Sequence, residues 1–401
     1  MKEMRIHMGV AFAMAAISVH LSTPIVADDA WEVTWKEGTR IESADDRFRL
    51  QIGGRVQADY AFAVSQSDAL EQRFGKFEDF SELRRARLFM EGTLYEKVEF
   101  KIQYDFASGD AQANDIYLGF LDTPAGNIRL GHYKEPFSLE TLTSSKYIAF
   151  IERSLPVVFA PGRNMGVMFH DSNDRFTWGA GVFRESDEFA SSSGEGRRNV
   201  TGRVVWRPYY EDEGERFLHI GLGATSKDSA GLNSEIRARP EVHIGSRLAN
   251  TGGFAVDGQD VVGLEIAGVN GPFWFAAEHL NTTVERPMRG DLGFGGYYAQ
   301  AGYFLTGESR GYRTSSAAFH RTRPASNFEG GGGAGAWEIA LRYSHTDLSD
   351  SEIIGGELDG ITAAVNWHPN PVTRLMLNWV HPDLDRVGEA DFMVVRAQID
   401  F

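Results

Sequence analysis

The 401-residue sequence contains no cysteine, which removes disulfide frameworks and thiolate metal centres from consideration. Positive charge is also scarce. Against 56 Asp and Glu stand 40 Lys and Arg, a formal net charge of -16 at pH 7, so no general surplus is available to neutralise nucleic-acid phosphates. After the N-terminal segment no stretch approaches the ~18 uninterrupted apolar residues of a membrane helix, and a helical membrane protein is excluded. What the chain has in quantity is glycine and aromatic side chains: 44 Gly, 27 Phe, 13 Tyr and 8 Trp. With 42% hydrophobic and 24% charged residues it is neither disordered nor collagen-like. A packed or lipid-facing structure must carry its stability.

The N-terminus has the order of a secretory signal. Lys2 and Arg5 precede an apolar run from Met8 to Val19, and Pro24 to Ala27 lead into Asp28 and Asp29. Cleavage is expected near Ala27.

The remainder reads as strands of alternating character. From Arg47 to Ala63 the even positions are apolar (Phe48, Leu50, Ile52, Val56, Tyr60, Phe62) and the odd positions polar (Arg49, Gln51, Arg55, Gln57, Asp59). Period 2 gives one greasy face and one polar face. The same parity returns from Val98 to Phe106 and in about sixteen or seventeen runs altogether, among them one at Ser234 to Ile244. Many runs reach 9 to 11 residues, which suits tilted membrane strands better than the ~5 to 6 of globular sheets. Short turns such as Asn270 to Pro272 alternate with long polar loops such as Ser65 to Ser81, as in outer-membrane barrels. The last run ends in Met393, Val395, Ala397, Ile399 and Phe401 on one face, a pattern resembling the assembly signal of such barrels. The expectation is an all-β protein: an antiparallel transmembrane β-barrel of about 16 strands. Residues 1–27 form the signal peptide, 28–46 a short periplasmic N-terminal segment and 47–401 the barrel.

Several stretches then carry a family resemblance. Leu83-Arg84-Arg85-Ala86-Arg87, Arg129-Leu130-Gly131-His132-Tyr133-Lys134-Glu135-Pro136-Phe137-Ser138-Leu139-Glu140, Thr143-Ser144-Ser145-Lys146-Tyr147, Leu305-Thr306-Gly307-Glu308 and Asn366-Trp367-His368-Pro369-Asn370-Pro371 together resemble the phosphate-selective porin O and P family. The resemblance implies a homotrimeric, sixteen-stranded anion channel of the bacterial outer membrane, with the loop after the fifth strand folded inward as a constriction. It implies neither a catalysed reaction nor a cofactor. The partners are inorganic phosphate or related oxyanions and the lipid of the outer membrane.

Taking the side opposite the apolar parity as the lumen places 13 basic and 9 acidic residues on its wall, although the molecule is strongly acidic. Guanidinium forks offer paired N–H groups that replace the water a phosphate sheds in a narrow pore. Arg55, Arg85, Arg87 and Arg129 are the wall candidates for the constriction. By resemblance Lys146, Ser144 and Ser145 donate to the anion from the inward loop. Arg237 and Arg239, sharing one face around Ala238, resemble rungs of the family's arginine ladder, and Arg203 and Arg207 extend it. Asp105 faces the lumen to orient a basic side chain. Arg84 has the opposite parity, which puts it at the rim or beside a bulge, and Arg153 is equally suited to pairing with Glu152 or Glu140. No His spacing fits a zinc motif, and no metal site is expected. The alternative readings are a general or weakly cation-preferring porin and, more distantly, an outer-membrane barrel hydrolase or a surface-binding barrel.

Overall fold

A strand that is apolar on one face only can satisfy its backbone in hydrocarbon by pairing on both edges, and the sheet must then close on itself. The computed structural model does this. It describes residues 31–401 apart from 36–37, 193–197, 244–245 and 330–331, so the expected signal peptide lies outside the described residues. Sixteen antiparallel strands form the closed wall. They are β1 (Phe48–Gln66), β2 (Phe80–Leu94), β3 (Val98–Asp105), β4 (Gln112–Thr123), β5 (Gly126–Lys134), β6 (Arg163–Ser172), β7 (Phe176–Glu185) and β8 (Arg198–Trp206). Then come β9 (Arg216–Ser234), β10 (Phe254–Asn270), β11 (Phe273–Glu285), β12 (Leu292–Phe304), β13 (Ala336–Asp350), β14 (Ile353–Asn370), β15 (Thr373–Leu384) and β16 (Gly388–Asp400). Closure is made by β16 against β1, from Asp400 opposite Arg55 to Ala390 opposite Gln66. A hairpin of Trp31–Trp35 and Thr39–Ser43 occupies the rest of that edge of β1, with Thr39 opposite Ile52.

The period-2 reading orients the side chains correctly. Val56, Tyr60 and Phe62 point outward and are 38%, 53% and 47% exposed, whereas Arg55, Gln57 and Asp59 between them are buried inside. One expected strand is absent. After Ser234 the expected run Ser234 to Ile244 enters the 235–253 connection, where among the described residues only Arg237–Ala238 pairs, with Ala249–Asn250. Pro240 supplies no ladder N–H. The apolar residues that produced the alternation, Ile236, Ala238 and Val242, are buried inside the barrel rather than facing lipid.

The interior is therefore not uniformly polar. At the long-loop end Leu70, Leu155, Phe159, Val242 and Leu248 from three connections pack onto inward-facing Leu280, Phe294, Leu358, Val380 and Phe392 of the wall. A second cluster joins Leu139, Phe150, Phe217, Trp274, Phe304 and Phe319. Loops thus fill the lumen as folded, cored elements.

Phe401 exchanges two backbone hydrogen bonds with Gly54, N–H to O at 3.0 Å and O from N–H at 2.6 Å. A Cβ on Gly54 would stand 2.8 Å from Phe401 Cζ and 3.0 Å from Leu88 Cδ2. Leu88 is an outward residue, 54% exposed, so the Phe401 ring covers Gly54 on the lipid side. Replacing Gly54 by Val is expected to reduce the folded, heat-modifiable barrel in outer-membrane fractions about as much as deleting Phe401. Gly202→Ala, whose Cβ would meet nothing nearer than 3.8 Å, is the control expected to assemble normally. Normal assembly of Gly54→Val would show that the seat has no role.

Candidate functional site: the inward loop and its basic cavity

The connection 135–162 leaves β5 and turns into the lumen, as the failure of alternation there suggests. Its attachment is built from carboxylates. Glu135 accepts from Asn164 and Asn199, each at 2.6 Å, and from Thr201. Phe137 lies over the wall at Gly223 and Gly263, where a Cβ would come within 3.0 and 3.1 Å of the ring. Ser138 accepts from the Thr141 N–H at 3.1 Å and starts the short helix α1 (Leu139–Leu142). The free N–H groups of Leu139 and Glu140 donate to Glu278 of β11 at 3.1 and 2.7 Å. Glu140 in turn accepts from Ser154 and from Arg342 of β13. A buried helix end is thereby satisfied by a wall carboxylate.

The far limb of the loop is held by Glu152. Arg84 donates to it through Nε at 2.8 Å and Nη2 at 3.1 Å, and Arg396 through Nη2 at 3.2 Å. Burial alone would raise the Glu152 carboxyl, but Arg84, Arg85 and Arg396 overcome it and hold it well below the usual carboxylate range. Arg84 is the residue skipped in the β1–β2 register, where Gln57 faces Arg85 and Ala58 faces Leu83. The bulge re-aims its side chain inward. Arg153 pairs with neither candidate carboxylate; it donates to the carbonyls of Glu140 and Thr143 at 3.0 and 2.8 Å.

From the opposite end, the connection 305–335 between β12 and β13 also enters the barrel. Arg310 of this segment lies between the rings of Trp274 and Phe319, at 3.8 and 3.7 Å from their centroids, and donates to the Tyr147 carbonyl. Arg321 pairs with Asp400 and donates to the Tyr147 hydroxyl at 3.4 Å. The His320 ring packs at a tilt against Tyr147, with ring centroids 4.6 Å apart. Burial, with Arg313, Arg321 and Lys146 around it, lowers the His320 imidazole to about 3, so it is neutral at pH 7.

Between the two inward segments and the wall lies a cavity of about 930 Å³. Fourteen Lys and Arg line it against three acids, Glu91, Glu99 and Asp115. A much smaller space lies toward β13–β16, lined by Arg310, Arg374, Glu338 and Asp400. Lys146, Tyr147 and His320 border both.

Eight of the residues expected from the sequence meet in the larger cavity: Arg55, Arg85, Arg87, Arg129, Arg203, Ser144, Ser145 and Lys146. Their partners are specific. Arg55 donates to Ser145 Oγ at 2.7 Å and Ser144 Oγ at 3.3 Å, so the serines hold the wall guanidinium. Arg85 donates to Gln57 at 2.9 Å, and Arg87 to Asp105 at 2.6 Å. Asp105 also accepts from the Ala86 N–H, and this geometry fixes Arg87. Arg129 donates to Glu99 and lies 4.1 Å over Tyr117. Lys146 Nζ is 3.4 Å from Asp400 and near the Phe89 and Tyr147 rings.

The four residues expected to form a ladder do not form one row. Arg203 of β8 pairs with Glu265 and donates to the carbonyls of Ser316 and Ala317, tying the 305–335 segment to the wall. Arg207 is fully buried in the turn after β8, donating to the carbonyls of Asn173 and Asp174 and to Tyr312. Arg237 and Arg239 are on the 235–253 loop, not on a wall strand. Burial and then Arg237 and Arg239 lower the Arg247 guanidinium, so three arginines of that loop repel one another.

Sequence reasoning did not place Arg40, Lys134, Arg163, Arg313 and Arg323 in the lining, and it read Arg153 for its pairing within the loop. Arg163 has the outward parity of Met165 and Val167, yet as the first residue of β6 it turns onto Asp115 at 2.8 Å. The 305–335 segment did carry a signal. It is a long, Arg- and Ser-containing connection at the short-turn end of the barrel. His219 of β9 is bonded to Glu265 at 3.0 Å and Tyr312 at 2.9 Å.

Comparison with known proteins agrees with this architecture. The model of the family "Phosphate-selective porin O and P" matches residues 50–401. Porin O of Pseudomonas aeruginosa is 28% identical over 98% of this chain and 98% of its own length. An uncharacterised protein of Caulobacter vibrioides is 31% identical over 92% of this chain and 77% of its own. Among solved structures, the anion-selective porin from Comamonas acidovorans superposes with a TM-score of 0.58 at 14% identity, covering 88% of this chain and 100% of that one. The outer-membrane channel DcaP of Acinetobacter baumannii gives 0.55 at 12% identity, covering 90% and 99%. A closed sixteen-stranded wall, an inward loop fixed to it by buried carboxylates, and a family match over almost the whole barrel lead to one conclusion: the chain belongs to the phosphate-selective porin O and P family and is a porin of the bacterial outer membrane.

Proposed function

We propose that the chain passes small oxyanions, inorganic phosphate among them and pyrophosphate or polyphosphate as longer members of the class, by facilitated diffusion. The observation that carries this reading is the lining of the large cavity, fourteen basic side chains to three acidic ones in a protein of net charge -16. An anion there finds many moderate donors, some held by neutral groups, as Arg55 and Arg85 are, and others by carboxylates, as Arg87 and Arg129 are, so it is exchanged along the wall rather than trapped. Lys146 borders both spaces, and among the described residues its ammonium meets Asp400 and the Phe89 and Tyr147 rings. Arg237, Arg239 and Arg247 act earlier, attracting anions from the loop end. The same reading includes assembly as a homotrimer, supported by the family.

Reversal potentials in a salt gradient across a planar bilayer are expected to favour anions, with phosphate blocking chloride current at lower concentration than sulfate. A cation-selective potential refutes the proposal. Lys146→Ala is expected to weaken phosphate block about tenfold to a hundredfold, the equivalent of a charge-assisted hydrogen bond of about 1.5 to 3 kcal/mol. Unchanged block returns Lys146 to a role in holding Asp400. Arg239→Ala should instead lower phosphate current at low ionic strength and leave it near wild type at about 1 M salt, because a charge approached through water steers and is screened. A salt-independent effect would contradict steering.

A further inference from the structure

The outward face of β13 and β14, away from the lumen, carries a cluster that neither channel function nor lipid contact explains. His345 alternates with buried Arg342, Ser344 and Thr346 and follows Leu341, which is 58% exposed, so it points outward. Across the hairpin stand Glu357 and Asp359. One ligating atom from each of the three lies within 4.8 Å of the others. The ring is held in a defined pose: Nδ1 is 3.0 Å from Asp359 Oδ1, which also accepts from the Tyr343 hydroxyl. In the tautomer with its proton on Nε2, the ring turns the Nδ1 lone pair toward Asp359, and Nε2 lies 3.9 Å from Glu357 Oε1. The Nδ1–Oδ1 separation is close to the ~3.3 Å between two ligands of one tetrahedral ion with bonds of about 2 Å. The contacts of Asp359 with His345 and Tyr343 are both made by Oδ1, which leaves Oδ2 for a cation.

The surrounding charge points the same way. Asp347 stands directly opposite Glu357, and Asp359 directly opposite Asp383. Like charges in cross-strand register repel. Among the described residues no Lys or Arg forms an ion pair with any of these four carboxylates. Four negative charges in adjacent register therefore lack a cation from the chain itself.

The next hairpin provides an internal comparison. On β15 and β16, His381 lies 3.6 Å from Glu389 and 3.0 Å from Asp391, as His345 lies 3.9 Å from Glu357 and 3.0 Å from Asp359, with Trp379 two residues before it in the place of Tyr343. His381 Nδ1 is 3.0 Å from Asp391 Oδ1, and Trp379 Nε1 donates to the same oxygen at 2.9 Å. Here, however, Oδ2 of the aspartate accepts from Ser65 at 2.6 Å. The second copy is closed by a hydroxyl where the first is open.

We propose that His345, Glu357 and Asp359 form a divalent-cation site on the outer face of the barrel. One imidazole and two carboxylates form a nitrogen and oxygen donor set suited to zinc and neighbouring transition ions, with the remaining coordination positions facing outward.

Zn²⁺ titration of the folded, detergent-extracted barrel by calorimetry tests this. Wild type is expected to bind about one Zn²⁺ per chain saturably, and His345→Ala and Glu357→Gln to weaken binding by more than about tenfold. His381→Ala should titrate like wild type. Heat-modifiable migration and single-channel conductance, unchanged in His345→Ala, confirm that the barrel is intact. Absence of saturable binding in wild type overturns the proposal, as does a His345→Ala variant that titrates like wild type or a His381→Ala variant that loses binding equally.

Discussion

Buried carboxylates fixing the inward loop to the barrel wall are the interaction on which the rest of the pore depends. Glu278 of the wall receives the N–H groups of the loop's helix start, and three carboxylates of the loop itself accept in return: Glu135 from Asn164 and Asn199, Glu140 from Ser154 and Arg342, and Glu152 from Arg84 and Arg396. A carboxylate removed from water is costly unless every lone pair finds a donor, and here backbone N–H groups, hydroxyls and guanidinium forks supply them. Replacing such pairs with apolar groups often costs little stability, but it loses the geometry they enforce. The loop must stand in one place across an otherwise open lumen, and directional charge-assisted bonds give that where a greasy contact alone would let it slide.

This anchoring sorts charge by position. Asp59 is consumed by Arg396, Asp105 by Arg87, Glu241 by Arg342, and Glu265 by Arg203 with His219. Acids of the wall, and Glu241 of the 235–253 loop, are thereby turned to holding structure, while the cavity between the inward segments keeps a basic lining. A chain of net charge -16 can in this way present a positive interior. Low dielectric walls strengthen that local field, whereas acids exposed at the rim are screened by salt.

The two inward segments also divide labour. The 135–162 loop brings Ser144, Ser145 and Lys146 to the wall arginines, and the 305–335 segment brings Arg310, His320 and Arg321 to the other side of Tyr147. Tyr147 is the common surface between them, ringed by His320, Lys146 and Arg321. Each loop also carries apolar side chains, Phe137 and Phe150 on one and Phe319 on the other, that bury against the wall and each other. The passage is thus shaped by cored elements, and the polar contacts set orientation within them.

Period-2 alternation by itself determined the strand type, the outward set from Val56 to Phe62 and the parity of Arg55, Arg85, Arg87 and Arg129. Side-chain direction in a strand is a local property, so sequence carries it fully. The pattern failed where residues alternate for another reason. Ile236, Ala238 and Val242 imitate a lipid face but pack inside, and Arg84 breaks parity because a bulge inserts one residue. Tertiary structure alone decided which charges pair, since Arg396 meets Asp59 and Arg55 meets Ser145 only after the barrel closes and the loop turns in. The same holds for His345: its carboxylate neighbours lie on the following strand, and no linear spacing reports a contact that hairpin register creates. Parity is written residue by residue, whereas partnership between distant side chains depends on the path of the whole chain.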